Sequence, residues 1–264
     1  MRILIFATVR KDQHRYCIEI AYKGSNYHGW QIQDNAVTVQ ELIDKALTTI
    51  LRQEVKTTGC GRTDTGVHAR QLFAHFDLEE SNSTLDVFQI KNSLNSILPI
   101  DITVKDLFPV EPDFHARFDA VSRSYEYHVH FGKNPFLNGF SWQLRELPDV
   151  DKMNEAAQIM KEYRDFSCFS KSHTQVHTNN CDIYIAEWKW IADDRLVFFI
   201  SANRFLRNMV RAIVGTLISI GNDSKKPAES IRQIIESKNR SLAGTSVPAC
   251  GLYLTKVRYK DIEI

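Results

Sequence analysis

Apolar and polar residues alternate between positions 16 and 22, and this period of two predicts a strand with one buried face. Between positions 39 and 51 the apolar residues recur instead at helical spacing. Thr38 and Glu41 stand at the start of this helix in the arrangement of a capping box. The first two elements are therefore a strand and a helix that each have one apolar face to bury.

The same alternation of strands and helices continues along the rest of the chain. Further strands are predicted near residues 55 to 60, 70 to 78, 102 to 104, 121 to 131, 183 to 190 and 196 to 202, and further helices over 85 to 98 and 151 to 163. The last helix is predicted to begin with Asn203 as its N-cap and to end at Gly221. This mixture favours an α+β fold in which helices pack on a sheet.

The two halves of the chain repeat one pattern of elements. Each half reads as strand, helix and strands again, and the halves meet near residues 109 to 112 without a flexible linker. We therefore expect one continuous domain over residues 15 to 264. It should consist of two related lobes, from about 15 to 110 and from about 111 to 264.

Charge and cysteine content narrow the class of protein. Lysine and arginine residues number 33 and acidic residues 32, which gives the 264-residue chain a formal net charge of +1, so a surface that binds nucleic acid must be a local basic patch. The five cysteines are scattered and form no CxxC pair, as is typical of a reducing cytosol. The apolar run at residues 3 to 9 is cut by charged residues without a cleavage site, and no segment is long enough to cross a membrane. We expect a soluble, cytoplasmic protein.

The segment GCGRTDTGVHAR, residues 59 to 70, is unusually polar and carries one carboxylate, Asp64. Strands are predicted on both sides, so residues 61 to 69 should form a loop held by a sheet. The spacing lacks the third glycine of a dinucleotide fingerprint, which excludes a nucleotide-binding fold. The triplet Asp64-Thr65-Gly66 is also how aspartic proteases present a carboxylate, but those enzymes need a second carboxylate, which only a homodimer would supply.

Three arginines in the last predicted helix form a second candidate group. Arg204, Arg207 and Arg211 are spaced to share one helical face, and a solvated cationic face is one interpretation. Arg211, however, lies between apolar residues, and a half-buried arginine normally has an anionic partner. Asp64 would serve as that partner, and an adjacent arginine would keep the carboxylate ionised, as a nucleophile or electrostatic stabiliser requires.

Cys168, His173, His177 and Cys181 are residue types that build zinc sites. Their spacing matches no common zinc finger closely, and the usual close pair of ligands is missing. Serine, threonine and asparagine residues surround them. We therefore expect a solvated surface loop and no metal.

Five separated segments resemble the tRNA pseudouridine synthase A family. They are YKGSNYHGWQIQ, GRTDTGVHA, FHARFDAVSRSYEY, ANRFLRNMVRAIVGTL and GLYL, and they follow the family's order from residue 15 onward. The resemblance implies the family's fold, a mixed and mostly antiparallel sheet shared by two related lobes with flanking helices. It also implies a homodimer that isomerises uridine to pseudouridine at positions 38, 39 and 40 of the tRNA anticodon arm.

The resemblance also assigns residues to the site. Asp64 would be the catalytic aspartate, Tyr125 the tyrosine that packs on the target base, and Arg211 the partner of Asp64. The strand pattern alone does not favour Tyr125 over Tyr127. The substrate-binding set would be Arg62, which enters the space left by the flipped nucleotide, with Gly66, Val67, His68, Tyr125 and Leu252, and the basic RNA-binding lining would be Arg62, Arg70, Arg117, Arg123, Arg204 and Arg207.

The reaction explains why one carboxylate stands among hydroxyls and cations. Forming pseudouridine breaks the bond from N1 to C1′, rotates the uracil, joins C5 to C1′ and removes the C5 proton. One ionised carboxylate and a sealed pocket suffice for this, so neither metal nor cofactor is expected. The target base must first be flipped out of the RNA stack.

Two departures from the family pattern limit the transfer. Residues 1 to 14 precede the usual start of the pattern and are expected to be an N-terminal extension without an assigned role. Residues 244 to 248 read GTSVP where the family more usually has GPTAP, which concerns the pocket edge more than the reaction.

Two other functions stay open at this point. A non-catalytic tRNA-binding module would tolerate loss of Asp64, and a dimeric aspartic protease would need Asp64 but ignore RNA.

Overall fold

A computed structural model describes residues 13 to 79, 85 to 170 and 178 to 260 of the chain. Its strands are β1 (Gln13–Tyr22), β2 (Thr58–Gly59), β3 (His68–Glu79), β4 (Ile102–Val110), β5 (Ala120–Phe131), β6 (Trp142–Leu144), β7 (Ile183–Ala192), β8 (Arg195–Ala202) and β9 (Leu252–Tyr259). Its helices are α1 (Val39–Leu51), α2 (Val87–Ile97), α3 (Val150–Met160), α4 (Met209–Asn222) and α5 (Ser230–Glu236). Residues 1 to 12 of the expected N-terminal extension lie outside the described residues, and β1 begins at Gln13.

The strands form one sheet in the order β4-β1-β3-β9-β5-β8-β7, with β2 paired to β3 and β6 paired to β5. Every pair is antiparallel except β3 with β9 and β5 with β6. The short β3–β9 pairing aligns His68 with Tyr253 and Ala69 with Leu254, and it joins the strands of the two halves of the chain. The predicted α+β fold with a mixed, mostly antiparallel sheet is confirmed.

Two apolar cores lie against this sheet. One contains buried residues of α1 and α2, and the other contains those of α3, α4 and α5. On β9, Leu252 belongs to the second core and Leu254 to the first, so the two cores adjoin on one face of the sheet. Tyr125 packs against both. The middle of the sheet is therefore the place where side chains from both halves of the chain meet.

The start of the first helix follows its sequence signal. Thr38 is the N-cap of α1, and its hydroxyl accepts a hydrogen bond from the backbone N–H of Glu41, as the capping box predicts. Val39, Ile43 and Leu47 are fully buried on one side of the helix. This helix covers the first core and leads into the strand that precedes the Asp64 loop.

The prediction for the last helix is wrong at its start. Asn203 does not cap it, because its side chain bonds Asp182 instead, accepting from the backbone N–H at 2.9 Å and donating to the carboxylate at 3.1 Å. Helix α4 begins at Met209, after Asn208 in the left-handed conformation with φ +66°. Arg204 and Arg207 therefore precede the helix, and the single cationic helical face that was expected does not form. The helix ends at Asn222, one residue beyond the predicted end.

The cysteines of the candidate metal cluster do not lie in a solvated loop. Cys168 and Cys181 are both fully buried in the second core, and burial raises the pKa of these thiols to about 12 and about 11 respectively. His173 and His177 fall outside the described residues. Within residues 13–79, 85–170 and 178–260, no group of three or more potential metal ligands is present, and no helix is long and apolar enough to span a membrane.

Candidate active site

The loop that carries Asp64 connects β2 to β3, and a segment that includes residues 27 to 30 is hydrogen-bonded to it. In that segment, Trp30 donates its backbone N–H to the Thr63 carbonyl at 3.4 Å, and the Tyr27 carbonyl accepts from Gly66 at 3.2 Å. The rings of Tyr27 and Trp30 are buried beneath. The aromatic residues of GSNYHGWQIQ thus support the loop from the inside.

Two glycines allow this close approach. A Cβ at Gly24 would lie 1.9 Å from the Val67 carbonyl oxygen, and one at Gly29 would lie 2.2 Å from that of Thr63. Gly29 also has a φ of +87°, which side chains disfavour. No other residue type fits either position without moving the loop.

Neighbouring side chains of the loop point in opposite directions. Thr63 is buried, and its hydroxyl lies 2.8 Å from that of Tyr22. The Asp64 side chain is 27 % exposed and lies beside the guanidinium groups of Arg207 and Arg211. The hydroxyl contact anchors the loop on the side away from solvent, which leaves the carboxylate on the accessible side.

The predicted ion pair of Asp64 with Arg211 is present. Nη1 of Arg211 lies 3.7 Å from Oδ2 of Asp64, and Nε of Arg207 lies 4.0 Å from Oδ1. Both distances exceed that of a hydrogen bond, so the guanidinium groups supply positive charge without occupying the carboxylate lone pairs. The role of Arg207 beside Asp64 was missed by the sequence reasoning, which had placed it on a helix with RNA as its partner.

Arg211 is itself fixed by the segment at residues 244 to 248. Its Nε donates to the Val247 carbonyl at 2.7 Å, and the backbone N–H of Val247 donates to the Arg211 carbonyl at 3.3 Å. Both bonds involve backbone atoms of Val247. The departure of this segment from the family's usual side chains therefore leaves the support of Arg211 intact.

The structure distinguishes Tyr125 from Tyr127. Tyr127 is fully buried, and its hydroxyl donates to the Pro248 carbonyl at 2.8 Å. Tyr125 is half-buried, and its ring meets that of Phe205 edge-on at 5.1 Å. Burial raises the pKa of Tyr125, and the negative charge of Asp64 adds to the rise. Of the two tyrosines, Tyr125 is the one whose pKa the charge of Asp64 affects.

An apolar wall continues from Tyr125. Val67 and Leu252 are buried in the second core, against which Tyr125 and Phe205 pack. Gly66, with φ +80°, brings the loop against the turn before β9, where a Cβ on it would lie 3.3 Å from the Ala249 side chain. The predicted pocket residues Gly66, Val67 and Leu252 therefore lie together, and Phe205 joins them without having been predicted.

His68, also predicted to bind substrate, does not lie with Gly66, Val67 and Leu252. It aligns with Tyr253 and stacks on that ring at 4.6 Å, on the face of the sheet opposite Leu252 and Leu254. Its Nδ1 accepts from the backbone N–H of Gly24 at 3.1 Å, and its Nε2 lies 3.1 Å from the Gly139 carbonyl. Burial lowers the pKa of His68, which matches a neutral ring with its proton on Nε2. The structure does not bring it to Asp64.

The predicted RNA-binding arginines fall into four groups. Arg62, Arg117 and Arg207 are exposed, and no hydrogen bond or ion pair of the Arg62 side chain is present within the described part of the chain. Arg70 lies on the face that bears His68, where it pairs with Glu126 at 3.2 Å. Arg123 differs from all of these, because its guanidinium group donates to carbonyls of the protein itself. Arg204 is half-buried in the segment before α4.

These features can be compared with known proteins. A sequence profile described as tRNA pseudouridine synthase matches residues 18–119 and 156–260, which include Asp64, Arg211 and Leu252 but not Tyr125. The chain belongs to the tRNA pseudouridine synthase family. Members of this family are isomerases that convert uridine to pseudouridine in tRNA.

Curated relatives support the assignment over nearly the whole length. The chain is 49% identical over 249 residues to tRNA pseudouridine synthase A of Bacteroides thetaiotaomicron, covering 94% of this chain and 91% of the relative. It is 49% identical over 245 residues to the protein of the same name from Bacteroides fragilis, covering 93% and 96%. The corresponding protein of Limosilactobacillus fermentum is 39% identical over 252 residues, covering 93% and 96%.

Family membership and the surroundings of Asp64 set aside the two alternatives. An aspartic protease needs a second carboxylate beside the first, whereas the charged groups near Asp64 in the described structure are the guanidinium groups of Arg207 and Arg211. A binding module without catalysis does not agree with the family's isomerase activity.

Proposed function

We propose that this protein isomerises uridines 38, 39 and 40 of the tRNA anticodon arm to pseudouridine, and that Asp64 is the residue that acts at the ribose. The position of the Asp64 carboxylate is the observation that carries the proposal. It is partly exposed and lies between two guanidinium groups, and its charge raises the pKa of the Tyr125 hydroxyl.

The surroundings of Asp64 fit an attack or assistance at C1′ of the ribose. Its carboxylate oxygens lie 3.7 and 4.0 Å from the nearest arginine nitrogens, so their lone pairs stay available to substrate. The same arginines place positive charge beside the carboxylate, whose negative charge must be held in place. The reaction is redox-neutral and takes up no group, so these side chains and a closed pocket suffice.

Tyr125 and its neighbours fit the detached uracil. A flipped base needs a flat apolar surface, which the ring of Tyr125 provides. The Phe205 ring meets it edge-on, and both rings pack against the core that contains the buried Leu252. Because the pKa of Tyr125 is raised, its hydroxyl stays protonated at neutral pH. Tyr125 therefore offers the base a ring and a neutral hydroxyl rather than a charge.

The exposed arginines fit the RNA backbone. Arg62 lies two residues before Asp64 with its guanidinium group in solvent, which suits insertion into the space that the flipped nucleotide leaves. Arg117 and Arg207 add positive charge nearby. The carbonyl of Arg117 and that of Cys60 in the Asp64 loop both accept from Arg123, and Arg207 lies beside Asp64 itself. Such contacts to phosphates would recognise the shape of tRNA more than its sequence.

The test is release of tritium from tRNA transcripts labelled at uracil C5. The protein is expected to release tritium from a transcript with uridines at the three positions and not from one with cytidines there. The Asp64→Asn variant should bind both transcripts and release nothing. Release from the cytidine transcript would contradict the choice of positions, and release by the variant would contradict the role of Asp64.

We also propose that the protein acts as a homodimer in the cytoplasm. The resemblance to the family supports the dimer. The five cysteines, all of them free, support a reducing compartment. Light scattering on the purified protein should give twice the mass of the chain, and the mass of a monomer at micromolar concentration would contradict the dimer.

A further inference from the structure

Arg123 connects three segments that surround the candidate active site. Its Nη1 donates to the carbonyl of Ala120 at 2.7 Å and to that of Asn203 at 2.9 Å. Its Nη2 donates to the carbonyl of Arg117 at 2.6 Å and to that of Cys60 at 3.0 Å. The four acceptors come from the strand of Arg123 itself, from the segment before it, from the Asp64 loop and from the segment before α4.

These bonds use the whole donating capacity of the two terminal nitrogens. A guanidinium group has five N–H donors, two on each Nη and one on Nε. Four of them point at carbonyl oxygens of the protein, and the side chain is only partly exposed. A phosphate group would have to displace one of these bonds. Arg123 is therefore poorly placed for the RNA contact expected from the sequence.

Two of the four acceptors lie four residues along the chain from a charged group at the reaction centre. Cys60 is four residues before Asp64, and its backbone N–H is held at 2.7 Å by the Phe73 carbonyl. Asn203 is four residues before Arg207, the second cation beside Asp64. Arg123 is itself two residues before Tyr125 on β5.

We propose that Arg123 is a positioning residue, which sets the Asp64 loop and the arginines before and in α4 at their distances from Tyr125, and that it does not bind RNA. The planar fork matters more than the charge, because two nitrogens must reach four oxygens at fixed angles. The proposal rests on the proposed function for its catalytic readout, and it makes a separate statement about RNA binding.

The test compares Arg123→Lys and Arg123→Gln with Arg62→Gln. The two Arg123 variants should lower kcat for tritium release at saturating tRNA by about 10- to 100-fold, the range reported for displacing reacting groups by about 1 Å. The KM for tRNA should stay within about threefold, since no substrate contact is removed. Lysine should not restore kcat, because it keeps the positive charge but lacks the planar fork of donors.

The salt dependence of tRNA binding distinguishes a positioning role of Arg123 from a role in binding RNA. Arg62→Gln is expected to lower the slope of log affinity against log salt by about 1, whereas both Arg123 variants should keep the slope of the unchanged protein. A lowered slope for Arg123→Lys or Arg123→Gln, or a raised KM with kcat unchanged, would overturn the proposal. The slope is measured without catalysis, so it tests the statement about RNA binding even if the protein releases no tritium. Absence of release would instead contradict the proposed function.

A matched control excludes a general loss of folding. Arg232 lies on α5 and also donates through both Nη groups, at 2.6 and 3.1 Å, to Glu162, which follows α3. Arg232→Lys should leave kcat per folded molecule unchanged. If the Arg123 variants lost activity only in proportion to their unfolded fraction, measured by circular dichroism, Arg123 would be a merely structural residue and the proposal would be wrong.

Discussion

Asp64 and His68 are four residues apart in one motif, yet they lie in opposite environments. Asp64 is partly exposed between two arginines, and both its oxygens stay beyond hydrogen-bond distance of them. His68 is buried on the other face of the sheet, its ring stacks on Tyr253, and both its nitrogens face backbone groups. A reactive group keeps bonding capacity for the substrate, whereas a structural group has none left.

The two arginines near Asp64 also differ in burial, and after the loss of Asp64 itself this difference gives the largest expected effect. Arg211 is 21 % exposed and holds the Val247 carbonyl, whereas Arg207 is 61 % exposed. We expect Arg211→Gln to lower kcat by about 10²- to 10³-fold, as loss of one well-placed stabilising group does. Arg207→Gln should lower it by less than about tenfold, since an exposed pair contributes little.

Steady-state tritium release from labelled tRNA measures both variants. Arg195→Gln, which removes an exposed arginine on β8, serves as the control for loss of one positive charge. Equal losses for Arg207→Gln and Arg211→Gln would show that burial of the cation is irrelevant. The comparison drawn from Asp64 and His68 would then not extend to the arginines.

The glycines against which the Asp64 loop packs test the structural half of the comparison. Gly29→Ala would place a Cβ 2.2 Å from the Thr63 carbonyl at a φ of +87°. We expect it to lower the free energy of unfolding by about 3 kcal/mol or more, the range for overpacking combined with a disfavoured backbone conformation. Urea denaturation followed by circular dichroism measures the loss.

Gly61→Ala, in the Asp64 loop itself, is the matched control. A Cβ at Gly61 would meet no atom within 4 Å. Its stability should change by less than about 1 kcal/mol, as at an unstrained surface site. Similar losses for the two alanine variants would show that contact with residues 24 to 30 does not fix the loop.

A second structural histidine gives an effect that depends on pH. His75 is buried, and its Nδ1 accepts from the backbone N–H of Ala116 at 3.1 Å. Burial lowers the pKa of His75 to about 4, with a smaller contribution from Arg15. The folded protein thus binds fewer protons than the unfolded chain between about pH 4 and pH 6.5, so this contribution to stability is present above that window and is lost as the pH falls through it.

The size of this contribution is at most about 3 kcal/mol, since one pKa unit corresponds to about 1.4 kcal/mol. The free energy of unfolding, measured by urea titration at pH 7 and at pH 4.5, should fall with pH in the unchanged protein. The fall should be smaller in His75→Gln, which has no titrating ring. An equal pH dependence in the two proteins would contradict the assignment of His75 as a neutral structural group.

The smallest effect concerns the two tyrosines of β5. Tyr127→Phe removes the bond to the Pro248 carbonyl and should lower the free energy of unfolding by about 1 kcal/mol, with kcat nearly unchanged. Tyr125→Phe removes a hydroxyl for which no hydrogen bond is present in the described structure, so its stability should change less. A larger stability loss at Tyr125 than at Tyr127 would reverse this assignment.

Local patterns in the sequence predicted most of the fold and the central ion pair. The strand at residues 16 to 22, the capped helix after Thr38 and the pairing of Asp64 with Arg211 all depend on information that is close in the sequence or on one buried charge. Choosing Tyr125 over Tyr127 required the family resemblance, because residues two apart on a strand share a face. Burial of Tyr127 is a property of the folded core.

The parts that sequence could not predict depend on contacts between distant residues. Asn203 has the composition of an N-cap, but its bonds to Asp182 and to Arg123 keep the following residues out of a helix. The partners of Arg123 lie up to 80 residues away, so no local pattern indicates its role. Phe205 was assigned to the part of the last helix that does not form and was missed for the same reason.

The most direct test of the contrast between Asp64 and His68 is one paired measurement on Asp64→Asn and His68→Gln. We measure kcat for tritium release from labelled tRNA and the free energy of unfolding in urea for both variants. Asp64→Asn should lose at least about 10⁴-fold in kcat, as removal of a nucleophile does, with a stability change below about 0.5 kcal/mol. His68→Gln should lose about 1–3 kcal/mol of stability and less than about tenfold in kcat. Catalysis by Asp64→Asn, or a fully stable but inactive His68→Gln, would contradict the account.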